Sequence, residues 1–134
     1  MEHMKRALDL AARAAGGVGP RPPVGAVVMK DERVVGSGYT LRDPLQHAEI
    51  VALEQAGAAA RGATMYVTLE PCDHHGSTPP CTKAIIDAEI KKVVIALVDP
   101  NPKVNGKGVK RLQAAGVAVE QDVSDTDSVT AQRL

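Results

Sequence analysis

The chain is almost without aromatic residues: Trp and Phe are absent, and only Tyr39 and Tyr66 carry aromatic rings. It also has no net charge, because 16 basic residues balance 16 acidic ones. General binders of nucleic acid or membrane surfaces show a basic excess, and proteins that bind single-stranded bases stack them on aromatic rings. The composition therefore predicts no nucleic-acid partner and no membrane partner.

Long hydrophobic runs and targeting signals are missing as well. No apolar run approaches the roughly 20 residues of a transmembrane helix. The opening residues, MEHMKRALDL, contain no apolar segment followed by the cleavage site of a secretory signal. Two cysteines, Cys72 and Cys81, are too few for a disulfide scaffold. We therefore expect a cytoplasmic protein with reduced cysteines.

The length of 134 residues suits one domain with its own hydrophobic core. We predict a domain over residues 1–123 and a polar C-terminal tail over residues 124–134. The periodicity of apolar residues predicts the order α-β-β-α-β-α-β-α-β. The helices are expected near 4–15, 47–60, 81–88 and 109–115, and the strands at 25–30, 33–39, 64–69, 92–98 and 117–123.

Strands that alternate with helices after an opening hairpin predict an α/β fold, a three-layer αβα sandwich with a mixed five-stranded sheet. The run KVVIALV (92–98) is apolar after its first residue, as expected of a buried parallel strand. Ligands bind such sheets beyond the carboxyl ends of the strands. Two polar loops leave strands at that end, LEPCDHHGSTPPC (69–81) and DPNPKVNGKG (99–108).

The first of these loops contains both cysteines, separated by eight residues. Taken alone, this spacing fits a disulfide, a structural zinc site or a catalytic zinc site. Cys81 opens a predicted helix, whose N-terminus stabilises the thiolate that binds zinc. A third ligand could come from His47 at the start of another predicted helix, and water would then take the open fourth position of a catalytic site. Glu49, otherwise read as an ordinary solvated helix residue, could then transfer protons.

These segments resemble the zinc-dependent nucleobase deaminases, whose signature combines H-x-E with P-C and a later Cys. The eight-residue spacing and the DPNP segment are similar to the deaminase domain of riboflavin biosynthesis, which acts on diaminohydroxyphosphoribosylaminopyrimidine. The resemblance extends over nearly the whole chain, through the segments PPVGAVV, HAEIVAL, LEPCDHHG, TPPC and VDPNPKVNGKG.

The resemblance implies a cytidine-deaminase-like fold, aminohydrolase activity, Zn²⁺ as cofactor, a small-molecule aminopyrimidine substrate and a homo-oligomer. It places the zinc ligands at His47, Cys72 and Cys81. It assigns proton transfer to Glu49. It implies substrate contacts by His74, Asp99 and Asn101.

Three positions differ from the residues usual in that family: Arg21 replaces Asn, Thr40 replaces His, and Ser77 replaces Lys or Arg. Because the basic residue before TPPC is replaced by Ser77, Arg21 is the predicted contact for the substrate phosphate. The reductase domain that usually follows is absent from the sequence, which fits both a stand-alone deaminase and one domain of a longer protein. Two alternatives remain: a deaminase of the same branch acting on another aminopyrimidine or purine-like base, and a non-catalytic zinc-stabilised interaction domain.

Overall fold

The computed structural model describes residues 2–14, 24–40, 47–69, 71, 81–97 and 107–121. Within these ranges the elements are, in chain order, α1 (Glu2–Ala14), β1 (Gly25–Lys30), β2 (Arg33–Tyr39), α2 (Ala48–Ala56), a 3-10 turn (Gly57–Ala60), β3 (Thr64–Leu69), α3 (Cys81–Asp87), β4 (Lys92–Leu97), α4 (Lys107–Ala114) and β5 (Ala118–Gln121). The strands form one sheet in the order β2-β1-β3-β4-β5.

The sheet is mixed, as predicted. Strand β1 runs antiparallel to both β2 and β3, whereas β3, β4 and β5 are parallel to one another. Asp31 and Glu32 join β1 to β2 with φ angles of 51° and 64°. A two-residue loop with positive φ at both positions matches the twist of the two strands, so the predicted hairpin forms at these residues.

Strands β1, β3 and β4 contribute side chains to two cores, because successive residues point to opposite faces. One core joins α2, α3 and α4 to the sheet and includes Ala52, Ile85 and Leu112 together with Val28, Met65, Val67, Val93 and Ile95. The other joins α1 to the opposite face and consists of Met4, Ala7, Val27, Met29, Val94 and Ala96. The predicted three-layer αβα sandwich is therefore confirmed.

Several element boundaries differ from the sequence-based expectation, and the helix α2 shows the largest difference. The helix predicted to run to residue 60 ends at Ala56, because Gly57 adopts φ 56° and ψ −133° and the chain continues as a 3-10 turn. Helix α4 begins at Lys107, two residues before the predicted start.

The predicted tail, 124–134, lies outside the described residues and stays a prediction. In the part of the chain that the structure describes, no helix has the length and apolar character needed to cross a bilayer.

Two threonines hold the start of β1 to its neighbours at the edge of the sheet where β2 and β3 end. The Gly25 N–H donates to Thr68 Oγ1 at 3.1 Å. On the other side, the Val24 N–H donates to Thr40 Oγ1 at 3.1 Å, and the Thr40 N–H donates to the Val24 carbonyl at 3.0 Å. Hydrogen bonds therefore fix the start of β1 to both neighbouring strands. The predicted site lies beyond this end of the strands.

Candidate active site

The His-Ala-Glu segment lies at the start of α2. His47 is the N-cap residue, with extended backbone angles of φ −76° and ψ 145°. Its carbonyl accepts the Val51 N–H at 3.1 Å, which is the first hydrogen bond of the helix. Its side chain makes no capping hydrogen bond to α2. The imidazole is therefore not used to cap α2. It contacts a residue of α3 instead.

Cys81, the first residue of α3, meets this imidazole. Its Sγ lies 3.1 Å from Nδ1 of His47, although 34 positions separate the two residues in the sequence. Cys81 is only 1% exposed. The fold thus brings a sulfur and an imidazole nitrogen, both zinc-binding groups, into direct contact where the starts of two helices converge.

Glu49 is the second residue of α2 and is 4% exposed. Within the ranges that the structure covers, it is the only charged residue that is buried. Burying a carboxylate is costly unless its surroundings compensate for lost hydration, and the first turn of a helix carries favourable positive potential. This burial rules out the interpretation of Glu49 as an ordinary solvated helix residue.

The contact between His47 and Cys81 can be compared with the geometry of a zinc site. Zinc bonds of about 2.0–2.1 Å to nitrogen and about 2.3 Å to sulfur, at a tetrahedral angle, separate the two donor atoms by about 3.6 Å. The observed separation is 3.1 Å, so a displacement of about half an ångström would let one ion contact both atoms. The two side chains therefore fit a shared metal.

The described residues do not include a complete metal site: no group of three or more His, Cys, Asp and Glu side chains among them could hold an ion. The third predicted ligand, Cys72, lies outside those residues. So do the four predicted substrate contacts Arg21, His74, Asp99 and Asn101, and their roles stay predictions. Thr40, where the resemblance leads us to expect histidine, lies within the described residues, and its hydroxyl accepts the Val24 N–H.

A surface cleft lies at the opposite end of the strands, where β3 and β4 begin. It is lined by Lys30, Gly57, Ala58, Arg61, Asp87, Ala88 and Glu89. Two ion pairs engage charged groups there, Arg61 with Glu89 and Lys83 with Asp87, each at 2.7 Å. This cleft is remote from His47 and Cys81, and we assign it no part in the chemistry.

Two glycines that seat α2 on the sheet were not predicted from the sequence. A Cβ added at Gly38 would lie 2.8 Å from the carbonyl oxygen of Ala48, and one at Gly36 would lie 2.2 Å from that of Ala52. The signal that could have found them was their alternate spacing within RVVGSGY, because glycine inside a strand often marks the close approach of another backbone.

The mixed sheet between helical layers, with His-x-Glu at one helix start and Cys at the next, defines a cytidine-deaminase-like fold of the zinc-dependent deaminase class. Residues 1–97 match the family described as the cytidine and deoxycytidylate deaminase zinc-binding region. The chain belongs to this family.

Relatives identify the branch. The riboflavin biosynthesis protein RibD of Aquifex aeolicus is 52% identical over 126 residues, which are 94% of this chain and 35% of that protein. The solved structure of Acinetobacter baumannii RibD, form 1, aligns with a TM-score of 0.93 and 45% identity over 98% of this chain and 37% of that one.

A solved structure from Thermotoga maritima bears the name diaminohydroxyphosphoribosylaminopyrimidine deaminase/5-amino-6-(5-phosphoribosylamino)uracil reductase. It aligns with a TM-score of 0.88 and 47% identity over 97% of this chain and 38% of that one. The predicted similarity to the deaminase domain of riboflavin biosynthesis is confirmed. The chain spans roughly a third of the length of these relatives, from 35% to 38%.

Proposed function

We propose that this chain is a zinc-dependent aminohydrolase that deaminates diaminohydroxyphosphoribosylaminopyrimidine in riboflavin biosynthesis and releases ammonia. The observation that carries the proposal is the 3.1 Å contact between Nδ1 of His47 and Sγ of Cys81. The buried carboxylate of Glu49 two residues after His47 supports it. The substrate is proposed from the name of the Thermotoga maritima structure. The direct test is release of ammonia from that compound by the purified protein.

The metal would be held by His47, Cys72 and Cys81. When bound, zinc supplies Lewis-acid activation of water at neutral pH. Three protein ligands leave a fourth coordination position open, which separates a catalytic from a structural site. Cys72 is assigned by its motif alone, whereas His47 and Cys81 are supported by their contact.

Glu49 would carry the protons of the reaction. Hydrolytic deamination adds water to the carbon that bears the amino group, and the amino nitrogen leaves as ammonia. Glu49 accepts a proton from the attacking water and delivers it to the ring nitrogen. It then transfers the remaining proton of the added hydroxyl to the amino group, so the C–N bond breaks as the C=O bond forms. Glu49 lies in the first turn of α2, two residues after the N-cap residue His47.

The substrate phosphate is expected to require a cationic partner, and we propose Arg21. A charge-assisted hydrogen bond contributes about 1.5–3 kcal/mol. Arg21→Ala should therefore lower kcat/KM for the phosphorylated compound by roughly 10- to 150-fold. The dephosphorylated compound should show a smaller loss. The measurement is kcat/KM for both compounds with the parent protein and the variant.

Lys107→Ala is the comparison for Arg21→Ala. Lys103 and Lys107 of the DPNP loop segment are the reserve candidates for the same contact, and Lys107 is exposed at the start of α4. A selective loss in Lys107→Ala alone would move the phosphate contact to that residue. Equal losses on both compounds in Arg21→Ala would leave Arg21 as a support for its loop or a contact to the base. Equal turnover of the two compounds by the parent would remove the phosphate assignment altogether.

A second candidate function is deamination of another aminopyrimidine or purine-like base. It is favoured by Thr40, which stands where the riboflavin branch usually has histidine and whose hydroxyl accepts a hydrogen bond from the Val24 N–H. A panel of aminopyrimidines and aminopurines in the ammonia assay distinguishes the two functions.

The remaining expectations from the sequence also belong to the proposal. They are a domain over residues 1–123, a cytoplasmic homo-oligomer, and no nucleic-acid or membrane partner.

A further inference from the structure

Helix α2 lies against β2 at two glycines, Gly36 and Gly38, in such close contact that neither position has room for a side chain. A Cβ at Gly38 would lie 2.7 Å from Cβ of Val51, 2.8 Å from Cγ1 of Val51 and 2.8 Å from the Ala48 carbonyl oxygen. Real Cβ contacts under 3.0 Å essentially do not occur, so something must shift. Since the Ala48 oxygen belongs to the helix backbone, relief requires the first turn of α2 and strand β2 to move apart.

That first turn carries the functional side chains. Ala48 lies between His47 and Glu49 in the sequence, so the residue whose carbonyl faces Gly38 is the one that links them. Val51, the other residue at the contact, donates its N–H to the His47 carbonyl at 3.1 Å. Displacement of this turn would therefore move the imidazole of His47 relative to Cys81, which belongs to a different helix.

Gly36 provides an internal comparison. It faces the later turns of the same helix, where an added Cβ would lie 2.2 Å from the Ala52 carbonyl oxygen and 2.9 Å from the Ala56 nitrogen. The clash with backbone is more severe at Gly36 than at Gly38, yet Ala52 and Ala56 are five and nine positions beyond His47. Substitutions at the two glycines can therefore be compared: one displaces the later turns of α2, and the other displaces its first turn.

We infer that Gly38 is a positioning residue for the zinc site: by carrying no side chain, it sets the depth at which the first turn of α2 packs and hence the placement of His47 and Glu49. The inference rests on the proposed zinc-dependent function. It adds a residue on a different element, β2, and that residue has no side chain with which to bind metal or substrate. Residues that position metal ligands typically change metal affinity 10- to 100-fold when altered.

The experiment compares Gly38→Ala and Gly36→Ala in the full chain. Zinc affinity is measured by competition with a chromophoric chelator, and the geometry of the site is followed by the visible absorption spectrum of the Co²⁺-loaded protein. Gly38→Ala should bind zinc 10- to 100-fold more weakly and should show shifted Co²⁺ bands. Gly36→Ala should bind zinc within about threefold of the parent protein and retain its spectrum, because metal affinity changes only when a ligand is displaced or reoriented.

Loss of stability is controlled with Leu112→Ala, which removes a fully buried side chain of α4. Leu112→Ala should lower the unfolding temperature without shifting the Co²⁺ bands. If Gly38→Ala fails to fold, Gly38→Ala/Val51→Ala replaces it, since the second change removes the Val51 Cγ1 from the contact. That variant should bind zinc at least threefold more weakly than the parent.

The outcomes separate this inference from the function on which it rests. Parental affinity and spectrum in a folded Gly38 variant would overturn the role of Gly38 while leaving the zinc site intact. Equal losses of zinc affinity in Gly36→Ala and Gly38→Ala would also overturn it, because the whole helix rather than its first turn would then be responsible. A parent protein that binds no zinc would refute the proposed function, and the inference with it.

Discussion

Replacing Glu49 with glutamine should nearly abolish ammonia release while the protein stays folded and retains zinc. The substitution preserves the size of the side chain but removes the carboxylate that accepts and delivers protons. General acid–base groups contribute about 10²- to 10⁴-fold to rate, and one carboxylate here serves successive transfers, so we expect the upper end of that range. The measurement is kcat for ammonia release, with zinc content and circular dichroism recorded on the same preparation.

The matched control for Glu49→Gln is Glu54→Gln. Both residues are glutamates of α2, but Glu54 is exposed whereas Glu49 is 4% exposed. Exposed charges of this kind contribute little to stability, so Glu54→Gln should retain activity within about twofold. If Glu49→Gln kept activity within tenfold of the parent, another group would have to move the protons, and the assigned role of Glu49 would be wrong.

Purified protein should contain about one zinc per chain, and His47→Ala or Cys81→Ala should lose it. The physical reason is the 3.1 Å approach of Nδ1 to Sγ, which is close enough for one ion to contact both side chains. Removal of either leaves too few ligands for the usual tetrahedral site. Cys72→Ala should have the same effect if the third ligand is correctly assigned. Metal content by mass spectrometry after exhaustive dialysis checks all three variants.

Loss of the metal should also lower stability, since zinc binding to a folded site contributes to folding free energy. A ligand present at 1,000 times its Kd stabilises by about 4 kcal/mol. For a chain of this size, that corresponds to a fall of roughly 10–20 °C in Tm on chelation. His75→Ala is the control, because no ligand role is predicted for His75, and it should keep both zinc and Tm. An active protein that contains no zinc would contradict the metal assignment.

Local patterns in the sequence were sufficient for most of the fold. The run KVVIALV predicts a buried parallel strand, and the structure buries Val93, Val94, Ile95 and Ala96 between two helical layers. The hairpin at Asp31 and Glu32 and the starts of β3 and α3 also follow from the sequence. These features depend on periodicity and on the interruption of apolar runs, which neighbouring residues determine among themselves.

The residue types of the candidate site could be predicted, because His47, Glu49 and Cys81 belong to motifs that are typical of zinc sites. The arrangement of these residues in space could not be predicted from the sequence. The 3.1 Å separation across 34 positions exists because α2 and α3 pack on the same face of the sheet. The burial of Glu49 to 4% exposure likewise results from packing. A sequence pattern identifies which groups can bind a metal, whereas their distances depend on how separate elements pack.

Tertiary structure alone decided the details that position those elements. The sequence places Gly36 and Gly38 within a predicted strand and gives them no role, and it shows Thr40 only as a departure from a family. In the fold, the two glycines admit the backbone of α2, and Thr40 accepts a hydrogen bond from the Val24 N–H at 3.1 Å. These roles depend on contacts between residues distant in the chain, where sterics and hydrogen-bond partners are supplied by another element. Periodicity determined the class of fold, and the motifs with the resemblance they carry indicated the chemistry available, whereas long-range packing determined where that chemistry is held.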